Sequence, residues 1–344
     1  MYIQMFNGWY FFWLILLGGL TTGIYFLLRN KSPEVQKSFL FALLVFGFFF
    51  HFLKAFFPPY SVDEARKLRD SWFVNICGAN IALFPFMFFI KNKHVQDYMF
   101  YIGVLSGLIA LFYPQEPLAK SNQLGEALDI IRFYYHHWML LSVPLLSVLF
   151  GHHKLSYKRI FTPPTGLLLV MLFIMLNQIF QSEIGYIPLR NQNEFFDIGY
   201  KNSSYIWGPG TDDAIGSFIA FFTPKLFKTV PVGEYAGQEK YWPWFWMIVP
   251  MYIIVPILSF LVCMVFDHKN FKNDCKKLIA KIKALTGKNK QAEAVAAVEN
   301  GFVKELEEIV DEAPAPQEQT AEAISSEEAI IVEAGKNEVT ISLK

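Results

Sequence analysis

Two kinds of side chain in this sequence could do covalent chemistry together: the thiol of Cys77 and the imidazoles of His137 and His136. A cysteine attacks as its thiolate, and an apolar setting disfavours that form unless a base or a positive charge stands beside it. Cys77 lies in the apolar run WFVNICGANIALFPF, so it needs such a partner. A neighbouring imidazole supplies the base, as in Cys–His hydrolases and acyltransferases. Zinc is the competing use of Cys and His, but neither Cys-x-x-Cys nor His-Glu-x-x-His spacing occurs. No metal and no cofactor are expected. Around this pair stand groups that could bind a substrate: His51, Lys54, Asn80, Arg132, Gln178 and Glu183.

The elements that must position these groups lie in a membrane. Of 344 residues 53% are hydrophobic and only 17% charged, against about 25% charged in soluble domains. The last 78 residues hold 11 Lys/Arg and 15 Asp/Glu, leaving 19 and 15 for the first 266. That is too little charge to cover a soluble surface. Three cysteines cannot form a disulfide framework. Seven apolar stretches approach the ~20 residues needed to span hydrocarbon. They run over about 9–28, 38–57, 72–90, 97–114, 128–150, 163–182 and 242–266, the fourth being short and Gly-rich. The runs are continuous rather than alternating, so the expected fold is an all-α bundle of about seven transmembrane helices over residues 1–266. Residues 1–8 carry no Lys or Arg, which argues against a cleaved signal peptide.

Basic residues cluster in the first, third and fifth connections and at the start of the tail, from Lys269 to Lys283. An odd number of spans puts all four on one side. The Lys/Arg bias makes that side cytoplasmic, with the N-terminus extracytoplasmic and the C-terminus cytoplasmic in a cell membrane. The second connection also carries Arg66, Lys67 and Arg69, so the tail decides the orientation. The connection 183–241 is long, rich in Gly, Asn, Pro and aromatics, and expected to be extracytoplasmic and functional. Within it Ala214–Phe222 is apolar but too short to span, and either re-enters the bilayer or lies on its surface. Residues 267–290, with eight Lys and two Asp, read as a basic amphipathic helix, lying on anionic lipid or simply solvated. Residues 291–344 carry 13 acidic residues and read as mostly disordered, with one short helix near 292–310. Anionic lipid or an unidentified protein is the expected partner of the tail, and membrane phospholipid that of the bundle; nucleic acid is not expected.

Ionisable side chains at bilayer depth are costly, so each is a functional candidate. By this topology His51 and Lys54, then Asn75, Cys77 and Asn80, then Asp129, Arg132, His136 and His137, and finally Asn177, Gln178, Gln181 and Glu183 share the outer half of the bilayer. Cys77 lies about five residues inside its span, ~8 Å at the helical rise. Plainer readings stand beside these: Asn177 and Gln181 bonding neighbouring helices, Lys54 snorkelling to the interface, Cys263 an inert core residue, and His152 and His153 interfacial. The depth count predicts that His51, Lys54, Cys77, Arg132, His137 and Glu183 line one cavity, with Lys54, Arg132 and Glu183 paired or wetted.

Four segments resemble the YwaF-like bacterial integral membrane proteins, which are related to an animal transmembrane acyltransferase of ether phospholipids. WFVNICGANIALFPF resembles the family's Leu-Pro-Leu-His-Leu-Cys segment, GLIALFYP its Leu-Gln-Ala-Leu-Leu-Thr-Pro segment, FYYHHW its Ser-His-Gly core and YWPWFW its Gly-Pro-Trp-Pro-Trp-Tyr segment. Order and spacing agree over about residues 40–265. The resemblance implies a Cys–His pair at Cys77 and His137, or His136, and lipid acyl transfer. Asn75, Trp138 and Ile109 depart from the family's His, Gly and Gln. The function expected is a lipid acyltransferase forming an acyl thioester. The alternative is a non-catalytic transporter, solute binder or scaffold.

Overall fold

The computed structural model describes residues 2–64, 67, 72–118, 124–185, 204–210, 214–230, 236–311, 331–334 and 339–342. Arg66, Arg69 and most of the connection 183–241 before residue 204 lie outside them. Two units divide the chain, Met1–Asp274 and Cys275–Lys344. The first is the expected helical membrane bundle: α1 (Gly8–Leu28), α2 (Pro33–Leu53), α3 (Ile76–Met87), α4 (Lys93–Phe112), α5 (Leu124–Leu149), α6 (Thr162–Glu183), α7 (Ala214–Phe221) and the start of α8 (Ile248–Asp311). Side chains from the preceding turn open several of them. Asn7, Ser32, Asn75 and Asn92 each accept a first-turn N–H, so these helices begin where a short acceptor can satisfy an orphan donor.

Five helical segments are long and apolar enough to cross a membrane: Gly8–Leu28, Pro33–Phe56, Lys93–Phe112, Tyr157–Glu183 and Phe245–Ala284. The helix at the centre of the bundle is not among them. α5 is 26 residues long, but Asp129, Arg132 and the His pair lower its hydropathy. It packs against α1, α2, α3 and α4, and Tyr134, Met139, Leu140, Val143 and Leu146 are fully buried. Its polar groups therefore face protein rather than lipid. The Gly-rich fourth stretch packs on it most extensively, and Gly103 and Gly107 show why glycine is there. A Cβ at Gly103 would collide with the Leu140 carbonyl oxygen, and one at Gly107 would meet His137 O at 2.8 Å and Leu141 Cβ at 2.7 Å. This is the small-xxx-small contact by which membrane helices approach closely. On the other side of α5, α1 lays Trp13 flat on Tyr134 at 4.6 Å.

The third span departs from the expected 72–90 helix. α3 has only 12 residues, about 18 Å, and is preceded by the non-helical stretch 72–75. That stretch turns tightly, Val74 N–H donating to Trp72 O at 3.0 Å. Non-helical backbone at this depth is tolerated only where protein satisfies its polar groups. Here Asn177 on α6 donates to Phe73 O at 3.4 Å, and Ile76 N–H donates to Ser204 Oγ at 3.1 Å.

The last span also differs. A 3-10 turn, Phe245–Met247, precedes α8, which runs without interruption to Asp311. The basic stretch 267–290 is thus helical but not an element of its own, and the helix extends through the region expected near 292–310. In the second unit β1 (Ile331–Ala334) pairs antiparallel with β2 (Val339–Ser342), Ile331 facing Ser342. Residues 312–330 of the tail lie outside the described ones.

Candidate functional site

Cys77 occupies the first turn of α3. Asn75, standing where the resembling family has a histidine, caps that turn: its Oδ1 accepts Gly78 N–H at 2.6 Å. Gly78 leaves room for the ring of His51, whose Cε1 lies 3.6 Å from where a glycine-replacing Cβ would sit. The His51 imidazole stacks on Phe73 at 6.3 Å and approaches the His136 ring at 5.9 Å. Asn80, one turn after Cys77, is completely buried and accepts a hydrogen bond from Tyr98 on α4 at 2.7 Å.

The structure assigns the two adjacent histidines different parts. His136 donates from Nε2 to Gly47 O at 3.1 Å, so its Nδ1 is the acceptor facing Arg132 Nη1 at 3.4 Å. The first of these contacts ties α5 to α2, and the second stays within α5. His137 donates from Nδ1 to Phe133 O at 2.8 Å within its own helix. That bond points the Nδ1 proton at the Phe133 carbonyl and fixes the ring against its own helix. Trp138, in the place of the family's glycine, turns to α1, where its indole N–H donates to Thr21 Oγ1 at 2.8 Å.

Arg132, His51, His137 and Lys54 all lie near enough to His136 to act on it electrostatically. Four chain segments thus meet at one end of the bundle, the end where α2 and α6 finish and α3 and α5 begin. Lys54 is buried, with its ammonium 5.2 Å from the centre of the Tyr60 ring, and does not snorkel. Arg132 pairs at 2.6 Å with fully buried Asp129, three residues earlier on α5, rather than with Glu183. Glu183 ends α6 in an exposed position, outside the cluster; Gln178 and Gln181 are buried. Among the described residues no group of three or more His, Cys, Asp or Glu is arranged to hold a metal ion.

A part of the site that had no signal in the residue types is the segment Ser204–Gly208. Ser204, Ile206 and Trp207 are buried against the bundle. The YWPWFW motif holds them there. Trp246 donates its indole N–H to Tyr205 O at 2.8 Å, and the Trp244 backbone N–H donates to Ile206 O at 2.8 Å. Trp244 also ties its indole to Leu168 O on α6. Trp244 (φ 68°) and Tyr205 (φ 59°) both adopt left-handed backbone, which a bulky residue keeps only where surrounding contacts over-determine it. The short apolar run becomes α7, burying Ile219 and Ala220 and exposing Ile215, Phe218 and Phe221.

At the opposite end a second polar cluster appears that composition alone left as interfacial. Asp97 is fully buried, takes His153 Nε2 at 2.7 Å and is bridged by the Arg159 guanidinium, whose Nη2 lies 3.1 Å from Oδ1. Cys263 is buried in the same apolar cluster as Tyr101.

No curated protein and no solved structure matches the chain. A family model does, over residues 4–210, a range that contains Cys77, all three histidines of the cluster and the buried 204–208 segment. With more than half of its length matched, and with helices built to cross a bilayer several times, the chain is a multi-pass membrane protein that belongs to the TMEM164 family.

Proposed function

We propose that this protein is a membrane acyltransferase, a relative of the YwaF-like proteins, that carries an acyl group as a thioester on Cys77. The observation that carries the reading is the setting of Cys77: a thiol in the first turn of a half-helix whose next residue, Gly78, packs on His51, one of the groups gathered around His136. In the first step His137 takes the thiol proton and the sulfur attacks the ester carbonyl carbon of a phospholipid. The C–S bond forms, the ester C–O bond breaks, and the lysolipid alkoxide leaves with the proton from His137. In the second step an acceptor hydroxyl gives its proton to His137 and attacks the thioester, and the Cys77 sulfur leaves and is reprotonated. The partial positive charge of the α3 N-terminus favours the anionic species of both steps. Lys54 and Arg132 are suited to a lipid phosphate, Arg132 as the bidentate partner. The Lys/Arg bias of the connections and the tail supports an extracytoplasmic position for this end of the bundle.

The test is covalent trapping. Purified protein incubated with labelled phospholipid should acquire a hydroxylamine-labile acyl chain, lost in Cys77→Ala, much reduced in His137→Ala and unchanged in Cys263→Ser. No label on the wild type, or the same label on Cys77→Ala, would end the reading. One observation favours a solute-binding or transport role instead: a half-helix preceded by non-helical chain also builds substrate sites in transporters. Solute uptake into proteoliposomes that Cys77→Ala leaves intact would support that alternative.

A further inference from the structure

The proposed thioester chemistry passes twice through a tetrahedral intermediate whose carbonyl oxygen becomes an oxyanion. Such a site needs hydrogen-bond donors fixed in advance where that charge develops. We infer that the side-chain amide of Asn80 is one of these donors, an inference that rests on the acyl-transfer reading.

Asn80 is three residues after Cys77 in the same helix, so the two side chains lie on one face. Side chains in a helix lean toward its N-terminus, which carries the Asn80 amide over the turn that holds the thiol. Its Oδ1 is engaged by the Tyr98 hydroxyl at 2.7 Å, which fixes the orientation of the group. Its Nδ2, completely buried, has no hydrogen-bond partner among the described residues. A buried amide donor left unmade costs about 1–3 kcal/mol, and one retained in a packed interior calls for an explanation. A second contact, independent of helix spacing, places this pair beside the nucleophile: Cys77 is near enough to Tyr98 to interact with it electrostatically. Tyr98 is itself held, its ring packed onto Gly166 of α6, where a side chain would collide with it. Asn80 thus presents a buried N–H pair whose orientation Tyr98 fixes. Tyr98 is a positioning residue, acting through Asn80.

Two reactions of the same thiol separate this role from a structural one. Acylation by a p-nitrophenyl ester of a short fatty acid goes through the oxyanion; alkylation by iodoacetamide does not. Both are measured on the full chain in lipid nanodiscs. In Asn80→Leu, Cys77 acylation should slow by about 100–1,000-fold, the usual cost of one such donor, with alkylation unchanged within about twofold. Tyr98→Phe, which removes one hydroxyl and keeps the amide, should slow acylation about tenfold, the worth of one hydrogen bond, again without touching alkylation; this comparison stands even if Asn80→Leu fails to fold. Equal slowing of both reactions would show that Asn80 acts on the thiol or on the fold and would overturn the inference. Unchanged acylation in both variants would overturn it as well. A wild-type protein that is alkylated at Cys77 but never acylated would instead bring down the acyl-transfer reading beneath it.

Discussion

The two ends of the bundle hold buried charge in opposite ways. Around Asp97 the bonds run between separate parts of the chain: a carboxylate at the start of α4 is held by His153 and Arg159 from the segment between α5 and α6. At the Cys77 end, Arg132 answers to Asp129 on its own helix, three residues away, and the Asn80 amide is only half used. A polar cluster whose bonds tie distant segments together and satisfy each other acts as a staple. The Cys77 end combines such ties, His136 to Gly47 and Tyr98 to Asn80, with an ion pair that stays within α5.

Four measurements can break or sharpen that contrast. Asp97→Asn should be the most damaging, costing about 3–5 kcal/mol because Arg159 and His153 lose their shared counter-charge; a melting transition in detergent that barely moves would show that the Asp97 end is not a staple. Trp246→Phe removes the indole donor to Tyr205 and Ile206 and should cost about 1–3 kcal/mol, read as faster hydrogen exchange confined to residues 204–208. The double change Asn80→Leu with Tyr98→Phe removes both partners of a buried bond at once and should shift stability by no more than about 1 kcal/mol, in contrast with Asp97. A large loss there would make Asn80 a structural residue. The smallest effect belongs to Lys158, which pairs with Asp274 at 2.5 Å but is 64% exposed: Lys158→Ala should lower the melting temperature slightly at low salt and not at all at high salt.

Much of the architecture was legible because burial in lipid constrains composition directly. Continuous apolar runs bounded by polar connections marked α1, α2, α4, α6 and the start of α8 as spanning helices. The convergence of His51, Lys54, Arg132 and the His pair was also readable, since residue counts from helix ends translate into depth. Glu183 followed the same count and still lies outside, because a residue at the last position of a helix is free to face solvent. Lys54 met the opposite outcome: a long side chain that could have reached the interface packs inward over Tyr60.

What the sequence determined by itself is therefore the membrane class and the helical elements. Hydropathy and periodicity are properties of single segments, and a single segment is enough to establish them. The tertiary structure alone decided which polar residues touch. That α3 is a half-helix depends on Asn177 of α6 and on Ser204, 128 residues beyond Ile76, meeting backbone groups that a regular helix would have satisfied. That His136 donates from Nε2 depends on the approach of Gly47 from another helix. That Asn80 has a spare donor depends on Tyr98 taking its oxygen and no neighbour among the described residues taking its nitrogen. Hydrogen bonds between distant segments are short-ranged and directional, so adjacency in the chain carries no information about them; only the packed bundle does.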